Sequence, residues 1–283
     1  MSRFIAYKKG FTIKPDTITP NGQVVFTDGT NGVLPNQKQC EAYGYNYDTV
    51  TGTCRAFKVT PNILKNFKNE NNHVKGTGNK TELGTNNSYI IGEQNTIKGL
   101  SRNNIVVGNN NEIQNSTNNS FVYGTLGNAT ADNSIVLGGN ALGDLLGERQ
   151  VTTIMYGLQT TDATTSISFL NNVSGSFYAI PENAAMYFQA DILALRVAGS
   201  SGSGAVGDFK SWVERGVVIN KSGTASISRS RTSPASSGTT TGWSPVSTVV
   251  GTNYQLTVTG AANMTIEWVA SIRFTQIQTN VSL

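Results

Sequence analysis

A glycine recurs at a fixed interval in the middle of this chain. Gly76, Gly92, Gly108 and Gly124 lie 16 residues apart, and Gly138 follows after 14. Each of the last four glycines closes a segment that begins with Asn-Ser or Asn-Asn and continues with three apolar or aromatic residues. A second Asn comes a few residues after every glycine. A short period of this kind indicates a solenoid, in which copies of one unit stack along an axis.

The apolar segments predict which side chains fill the stack. One column of apolar positions predicts a shaft core of Ile90, Val106, Val122 and Val136. Asn and Gly tolerate the positive φ of tight turns, so the five glycines are predicted to lie at turns. So few apolar residues point inward in one rung that either neighbouring rungs or neighbouring chains must share the core. An Asn-rich disordered spacer is the alternative, but such spacers do not keep a fixed phase.

The first 58 residues are rich in turn-forming residues and contain both cysteines of the chain. Cys40 and Cys54 enclose a tyrosine-rich segment that is predicted to form a β-hairpin. A bridge between them would stabilise the fold by about 3 kcal/mol in the chain-entropy model. Synthesis in a cytoplasm would keep thiols reduced at first, so a disulfide and buried thiols both remain open. With His73 as the single histidine, we expect no zinc site, no other metal and no cofactor.

The rest of the chain divides at the ends of the repeat. Residues 59–72 are predicted to form a short helical neck, because Pro61 suits a first helical turn and apolar residues follow on one face. After residue 146 the period is lost, and about nine longer strands are predicted in residues 147–283. Strands of this number and length favour an antiparallel β-sandwich or jelly roll, which we call the knob.

The last predicted strand of the knob alternates between apolar residues on one face and mostly polar residues on the other. Its inward positions predict a knob core of Ile266, Trp268, Ile272 and Phe274. Such alternation is typical of a strand with one face in a core and one face outside.

Charge and composition exclude several classes of protein. Only 13% of the residues are charged and the net charge is +4, which is too small an excess to predict nucleic-acid binding. The chain shows neither a leader-like apolar segment nor an apolar run long enough for a membrane, so we expect neither secretion nor membrane insertion. His73 occupies a repeat position, which disfavours a Ser-His-Asp triad, and no catalytic motif is evident. Paired carboxylates remain open, but the chain is predicted not to be an enzyme.

The repeat resembles a known architecture. The pattern Asn-Ser-φ-φ-φ-Gly followed by Asn-x-φ, where φ is apolar, is similar to the head repeats of trimeric autotransporter adhesins and to repeats in fibres of tailed bacteriophages. The resemblance covers about residues 73–141. It implies an all-β protein with a trimeric, left-handed parallel β-roll over residues 73–146, which we call the shaft. The last strand likewise resembles that of a β-sandwich knob found in phage and prophage virion proteins.

These resemblances imply a structural virion protein made in the host cytoplasm. The short chain resembles a head fibre of short-tailed, crAss-like phages, on the capsid surface. Residues 1–58 would then be an attachment module for capsid or other virion proteins, and the chain would assemble as a homotrimer with a possible role in adhesion to host-surface glycans. A tail receptor-binding fibre and a glycan-binding or depolymerising spike are the alternatives. Trp243 is the candidate glycan contact, with an ordinary core aromatic as its alternative interpretation.

Overall fold

The computed structural model describes residues 13–19, 22–49, 51–56, 69–139, 143, 145–199 and 204–283. The chain divides into two compact units, Met1–Asn66 and Phe67–Leu283, which we describe separately. Strands dominate both units, and the predicted all-β class is confirmed. Most of the predicted neck, like the first 12 residues of the predicted attachment module, lies outside the described residues. Within the described residues, no helix has the length and apolar character needed to span a bilayer.

The N-terminal unit combines a small sheet, a short helix and a hairpin. Its described elements are β1 (Lys14–Ile18), β2 (Val24–Thr27), β3 (Gly32–Val33), α1 (Gln37–Ala42), β4 (Asn46–Asp48) and β5 (Thr53–Arg55). Strands β1, β2 and β3 are antiparallel neighbours, and β4 pairs with β5. Helix α1 begins after Asn36, whose side chain accepts a hydrogen bond from the Gln39 N–H, while the Gln39 side chain accepts one from the Asn36 N–H.

The two cysteines are joined in this unit. Cys40 on α1 is disulfide-bonded to Cys54 on β5, and both side chains are buried beside Val24 and Phe26. The predicted hairpin therefore accounts only for the second half of the segment between the cysteines. Cys40 itself lies in a helix, because the capping box at Asn36 starts a helical turn immediately before it, and this helix ends at Ala42 ahead of the hairpin.

The repeat region folds as a parallel β-roll with two short strands in each rung. Its strands are β6 (His73–Lys75), β7 (Lys80–Thr81), β8 (Tyr89–Glu93), β9 (Thr96–Ile97), β10 (Ile105–Asn109), β11 (Glu112–Ile113), β12 (Phe121–Thr125), β13 (Asn128–Ala129) and β14 (Ile135–Gly139). The first strands of the rungs form one sheet in the order β14-β12-β10-β8-β6, and the second strands form another in the order β13-β11-β9-β7. This solenoid of about four turns confirms the predicted β-roll.

The roll fills its own interior. Ile90, Val106, Val122 and Val136 have no exposed surface. They belong to one buried cluster with three residues of the second sheet, which are Ile97, Ile113 and Ala129. Contacts between neighbouring rungs of one chain are therefore sufficient to complete the core, and no second chain is needed for it. The second strand of each rung supplies the apolar half that the sequence analysis did not identify.

The knob continues the first sheet of the roll. Its strands are β15 (Arg149–Thr160), β16 (Thr165–Leu170), β17 (Tyr178–Ala179), β18 (Ala184–Ala198), β19 (Phe209–Lys221), β20 (Thr224–Ser237), β21 (Ser244–Val250), β22 (Asn253–Thr259) and β23 (Thr265–Gln278). Strand β15 pairs antiparallel with β14, and the sheet continues through β23, β18, β19 and β20. The roll and the knob thus share one extended sheet.

A second group of knob strands lies over the inner face of that sheet. Strand β22 pairs with β16, β17 and β21. Buried side chains of both groups form one cluster, in which Tyr254 of β22 packs edge-on against Phe188 and Phe274 of the extended sheet. The sandwich or jelly-roll topology, the left hand of the roll and the trimer stay predictions.

Candidate functional site

The glycine column is required by close contact between rungs. A Cβ on Gly76, Gly92 or Gly108 would overlap the carbonyl oxygen of the glycine in the next rung. Their φ angles of 108°, 128° and 129° lie in a region that other residues rarely adopt. Gly124 faces Gly138 in the same way, whereas a Cβ on Gly138 itself would meet backbone atoms of Thr125 and Gly127. Glycine is therefore the residue that allows these rungs to approach each other.

A ladder of asparagine side chains runs through the interior beside these glycines. Asn95 Nδ2 donates to the Gly108 carbonyl at 2.7 Å, and Asn111 Nδ2 donates to the Gly124 carbonyl at 2.8 Å. The N–H of Asn111 donates in turn to Asn95 Oδ1 at 3.0 Å. Both amides are buried, so these bonds satisfy groups that water cannot reach. The repeat pattern indicated Asn at these positions but did not reveal this role.

The knob end of the roll is closed by a glutamine. Gln150 Oε1 accepts from the Asn128 N–H at 2.9 Å, and Gln150 Nε2 donates to the Asn128 carbonyl at 3.2 Å. This side-chain amide takes the place that a further backbone strand would have beside β13. No sequence signal distinguished Gln150, because its role depends on how β15 lies against the roll.

The two outer faces of the roll differ sharply in chemistry. Two columns of apolar and aromatic side chains run along the outside of the first sheet. One column contains Tyr89, Ile105, Phe121 and Ile135, and the other contains Ile91, Val107, Tyr123 and Leu137. Most are largely exposed, with 54% for Tyr123 and 47% for Ile91. We call these two columns the roll face.

The outer face of the second sheet is polar. Lys98 forms a 2.6 Å ion pair with Glu112 and also donates to Gln114 at 3.2 Å. Gln114 donates in turn to Asn128 at 2.9 Å. A polar surface of this kind suits contact with water, whereas the roll face is an apolar surface of the sort that marks interaction sites.

The predicted knob core residues lie on the inner side of β23. Ile266, Ile272 and Phe274 have no exposed surface, and Trp268 is 4% exposed. The Trp268 ring stacks on Trp212 with centroids 5.6 Å apart, and its Nε1 donates to Thr160 Oγ1 at 3.0 Å. Trp268 thus has both an apolar environment and a partner for its N–H.

Trp243 is buried rather than displayed on a loop. Its side chain is 3% exposed, and its ring lies against Trp268 with centroids 6.3 Å apart. A sugar stacks on an open aromatic face, which this ring does not offer. The predicted glycan contact does not fit this position, and the alternative interpretation of a core aromatic does.

A buried polar network joins the two groups of knob strands. Glu214 of β19 has no exposed surface and accepts hydrogen bonds from Arg229 at 2.8 Å and from the Ser247 hydroxyl at 2.5 Å. The Ser247 hydroxyl also lies 2.6 Å from that of Tyr254. Burial raises the pKa of Tyr254 far above its usual value, so its hydroxyl keeps its proton. We assign this network to positioning the strands, because Glu214, Ser247 and Tyr254 are enclosed.

Metal binding finds no support in the part of the chain that the structure describes. No group of three or more His, Cys, Asp or Glu side chains there could hold an ion.

Comparison with known proteins finds likeness only among solved structures. No family model and no curated protein matches the sequence. The tailspike of Acinetobacter baumannii phage AM24 is 12% identical over 75% of this chain and 50% of that chain, with a TM-score of 0.27. A tailspike from A. baumannii bacteriophage Fri1, described as a capsular polysaccharide depolymerase, is 9% identical over 75% and 48%, with a TM-score of 0.25. The tailspike of Acinetobacter phage vB_ApiP_P1 is 12% identical over 75% and 49%, with a TM-score of 0.20.

These matches lead to one correction. The chain spans about half the length of each tailspike, and likeness at these TM-scores does not assign their activity to this chain. The prediction that the chain is not an enzyme is nevertheless contradicted, since one of these neighbours is a depolymerase. The absence of a recognisable catalytic motif was a weak basis for that prediction, because carboxylates that are distant in sequence can meet in space.

Proposed function

We propose that this chain is a fibre or spike protein of a bacteriophage virion that works as a homotrimer. The observation that carries the proposal is the two-faced roll. Its interior is filled by its own side chains, its second sheet is polar outside, and its first sheet leaves the roll face uncovered. The resemblance of the repeats to phage fibres and trimeric adhesin heads supports the same proposal.

Packing three chains through the roll face would remove this apolar surface from water. Burial of apolar area contributes about 25 cal/mol per Å² before the costs of association are subtracted. The repeat makes such contacts regular, because each rung presents an equivalent pair of side chains to its neighbours. A threefold assembly would therefore gain the same contact several times over.

Light scattering on the purified protein tests the trimer directly. We expect a mass of three chains at micromolar concentration, and we expect Tyr123→Asp to dissociate it by placing a charge on the roll face. Thr96→Asp on the polar second sheet is the matched control and should keep the mass of the wild type. A well-folded wild-type monomer at micromolar concentration would contradict the proposal.

Within this class we favour a head fibre attached to the capsid surface through residues 1–58. The resemblance to head fibres of short-tailed phages supports this placement, and Met1–Asn66 forms a compact unit of its own. An arm that orders on a partner gains backbone hydrogen bonds and apolar contacts there. Deleting residues 1–20, which removes β1 together with the residues before it, should release the protein from purified virions while the assembly keeps three chains. Truncated protein at normal occupancy on virions would contradict attachment through this end.

The tail fibre and the spike remain alternative placements. Immunogold labelling of virions distinguishes them, since a head fibre places gold around the capsid and a tail protein places it at one vertex. An assay for degradation of host capsular polysaccharide, run beside a glycan-binding array, decides whether the proposed fibre also binds or cleaves glycans. Cleavage products would place this chain among the depolymerising spikes.

A further inference from the structure

The outer side of the knob carries a second apolar surface. On β18 and β23, alternate residues fill the core, and those between them point outward. Many outward residues are large and apolar, including Leu193 at 44% exposure and Val269 at 39%. We call this surface the knob face and define it by Met155, Tyr187, Leu193, Phe209, Val217 and Val269.

Strand register places apolar side chains of the knob face side by side on neighbouring strands. Leu193 lies directly beside Val269, and Tyr187 lies directly beside Val217. Side chains on neighbouring strands at the same register are within contact distance, so each pair forms one apolar contact. A polar row, in which Gln189 lies beside Arg215 and Arg273, separates the two pairs. An exposed patch of this kind is rare on a monomer and marks an interaction site.

The knob face continues the roll face. Leu137, in the roll, is paired with Val151 of β15, Val151 with Thr275 of β23, and Thr275 with Tyr187 of β18. These four residues lie on one line across a single sheet. A partner that covers the roll face therefore lies on the same side of one sheet as the knob face.

We propose that further copies of this chain, parallel and in register, pack against the knob face. This inference rests on the homotrimer of the proposed function and extends its interface from the roll to the knob. The defining residues lie on β15, β18, β19 and β23. Four strands at about 4.8 Å and ten residues at about 3.4 Å make a surface of about 19 Å by 34 Å, roughly 650 Å². That area lies within the range that each partner buries in a stable protein complex.

The charges on the knob face also favour a copy of the chain. Arg215 and Arg273 lie among the apolar side chains together with Asp191 and Glu267, and all four point outward. A second copy carries both signs and can place opposite charges together. A partner of one uniform charge would meet repulsion from half of these groups.

Thiol labelling tests the knob face, because the only two cysteines are joined in the N-terminal unit. An introduced cysteine is then the single free thiol. Leu193→Cys and Val269→Cys report the knob face. Val173→Cys and Val250→Cys are the matched controls, since both residues are more than half exposed and lie off this face. We expect maleimide to react with the knob-face thiols at least tenfold more slowly than with the controls, after normalisation to each unfolded variant.

Light scattering on the same samples separates this inference from the trimer itself. Trimers with slow knob-face labelling support it, whereas trimers whose knob-face thiols react as fast as the controls overturn it and leave the trimeric fibre intact. Monomers overturn both. In trimers, the double variant Leu193→Lys with Val269→Lys should accelerate labelling of a Phe209→Cys thiol at least fivefold, while Val173→Lys with Val250→Lys should leave it unchanged. Acceleration by both pairs, or by neither, would also overturn the inference.

Discussion

The roll and the knob share one sheet but are held together by different interactions. The roll has a narrow core of small aliphatic side chains, and buried asparagines bond each rung to the next. The knob has a broad core rich in aromatic rings, in which Trp268 contacts both Trp212 and Trp243. Hydrogen-bonded repetition stabilises the first region, and apolar packing stabilises the second.

The comparison explains why the two regions tolerate change differently. In the roll, backbone atoms of neighbouring rungs are so close that an added methyl group has no room. In the knob, side chains from distant parts of the chain meet, and the loss of a large one leaves a cavity. Backbone contact should therefore limit substitution in the roll, and lost volume should limit it in the knob.

The largest effect is expected from adding one methyl group to the roll. In Gly108→Ala the new Cβ would overlap the Gly124 carbonyl at a φ of 129°. We expect the rungs around residue 108 not to form, so that their amides lose protection from hydrogen exchange. Gly175→Ala is the control, because Gly175 also has a positive φ, 77°, but has open space around it. Equal loss of protection in both variants would refute the argument from contact between rungs.

The knob should respond most to loss of an aromatic ring. Trp268→Ala removes a ring that is 4% exposed and should lower the free energy of unfolding by about 3–5 kcal/mol. Chemical denaturation monitored by circular dichroism measures the change. Val173→Ala, at a side chain that is 59% exposed and lies off the knob face, is the control and should change stability by under about 1 kcal/mol. Denaturation unchanged by Trp268→Ala would show that the core assignment is wrong.

A smaller effect is expected from breaking the asparagine ladder. Asn111→Ala removes the donor to the Gly124 carbonyl and the acceptor for the Gly127 N–H, and should cost about 1–3 kcal/mol. The exposed Asn109 makes one 3.3 Å hydrogen bond through its side chain, so Asn109→Ala is the control. If both variants unfold at the same denaturant concentration, the ladder does not stabilise the roll.

Loss of the disulfide is expected to have the smallest effect on the roll and the knob, because it destabilises the N-terminal unit instead. Cys40→Ser opens a bridge with a sequence separation of 14 and should destabilise the N-terminal unit by about 3 kcal/mol. That unit is separate, so unfolding of the knob, followed by fluorescence of its three tryptophans, should not change. A shifted tryptophan transition would show that the two units are coupled.

Sequence patterns identified most of the fold because its elements are local and regular. The 16-residue period predicted the roll, and strand patterns predicted about nine strands in residues 147–283, where the structure has β15–β23. Ile97 and Ile113 were missed as core because a two-residue strand is too short to show alternation. Helix α1 was missed because its signal is a capping box at Asn36 and Gln39 rather than a hydrophobic stripe.

The features that escaped prediction depend on contacts between distant residues. Glu214 and Ser247 are 33 positions apart, and no spacing rule brings them together. Trp243 resembled a loop aromatic because it follows Gly242, and only the packing of β21 places it against Trp268. The roll face could have been found from the repeats alone, since its residues flank the predicted core positions in every rung.

The closed end of the roll has a consequence for how such proteins can change over time. Strand β15 covers the last rung on one sheet and Gln150 covers it on the other, so neither end contact depends on how many rungs lie below. A duplicated 16-residue unit would fit between existing rungs and displace the knob by about 4.8 Å, with the same glycines and asparagines meeting their counterparts. Unequal recombination between repeats can therefore lengthen or shorten the roll in equal steps of one rung.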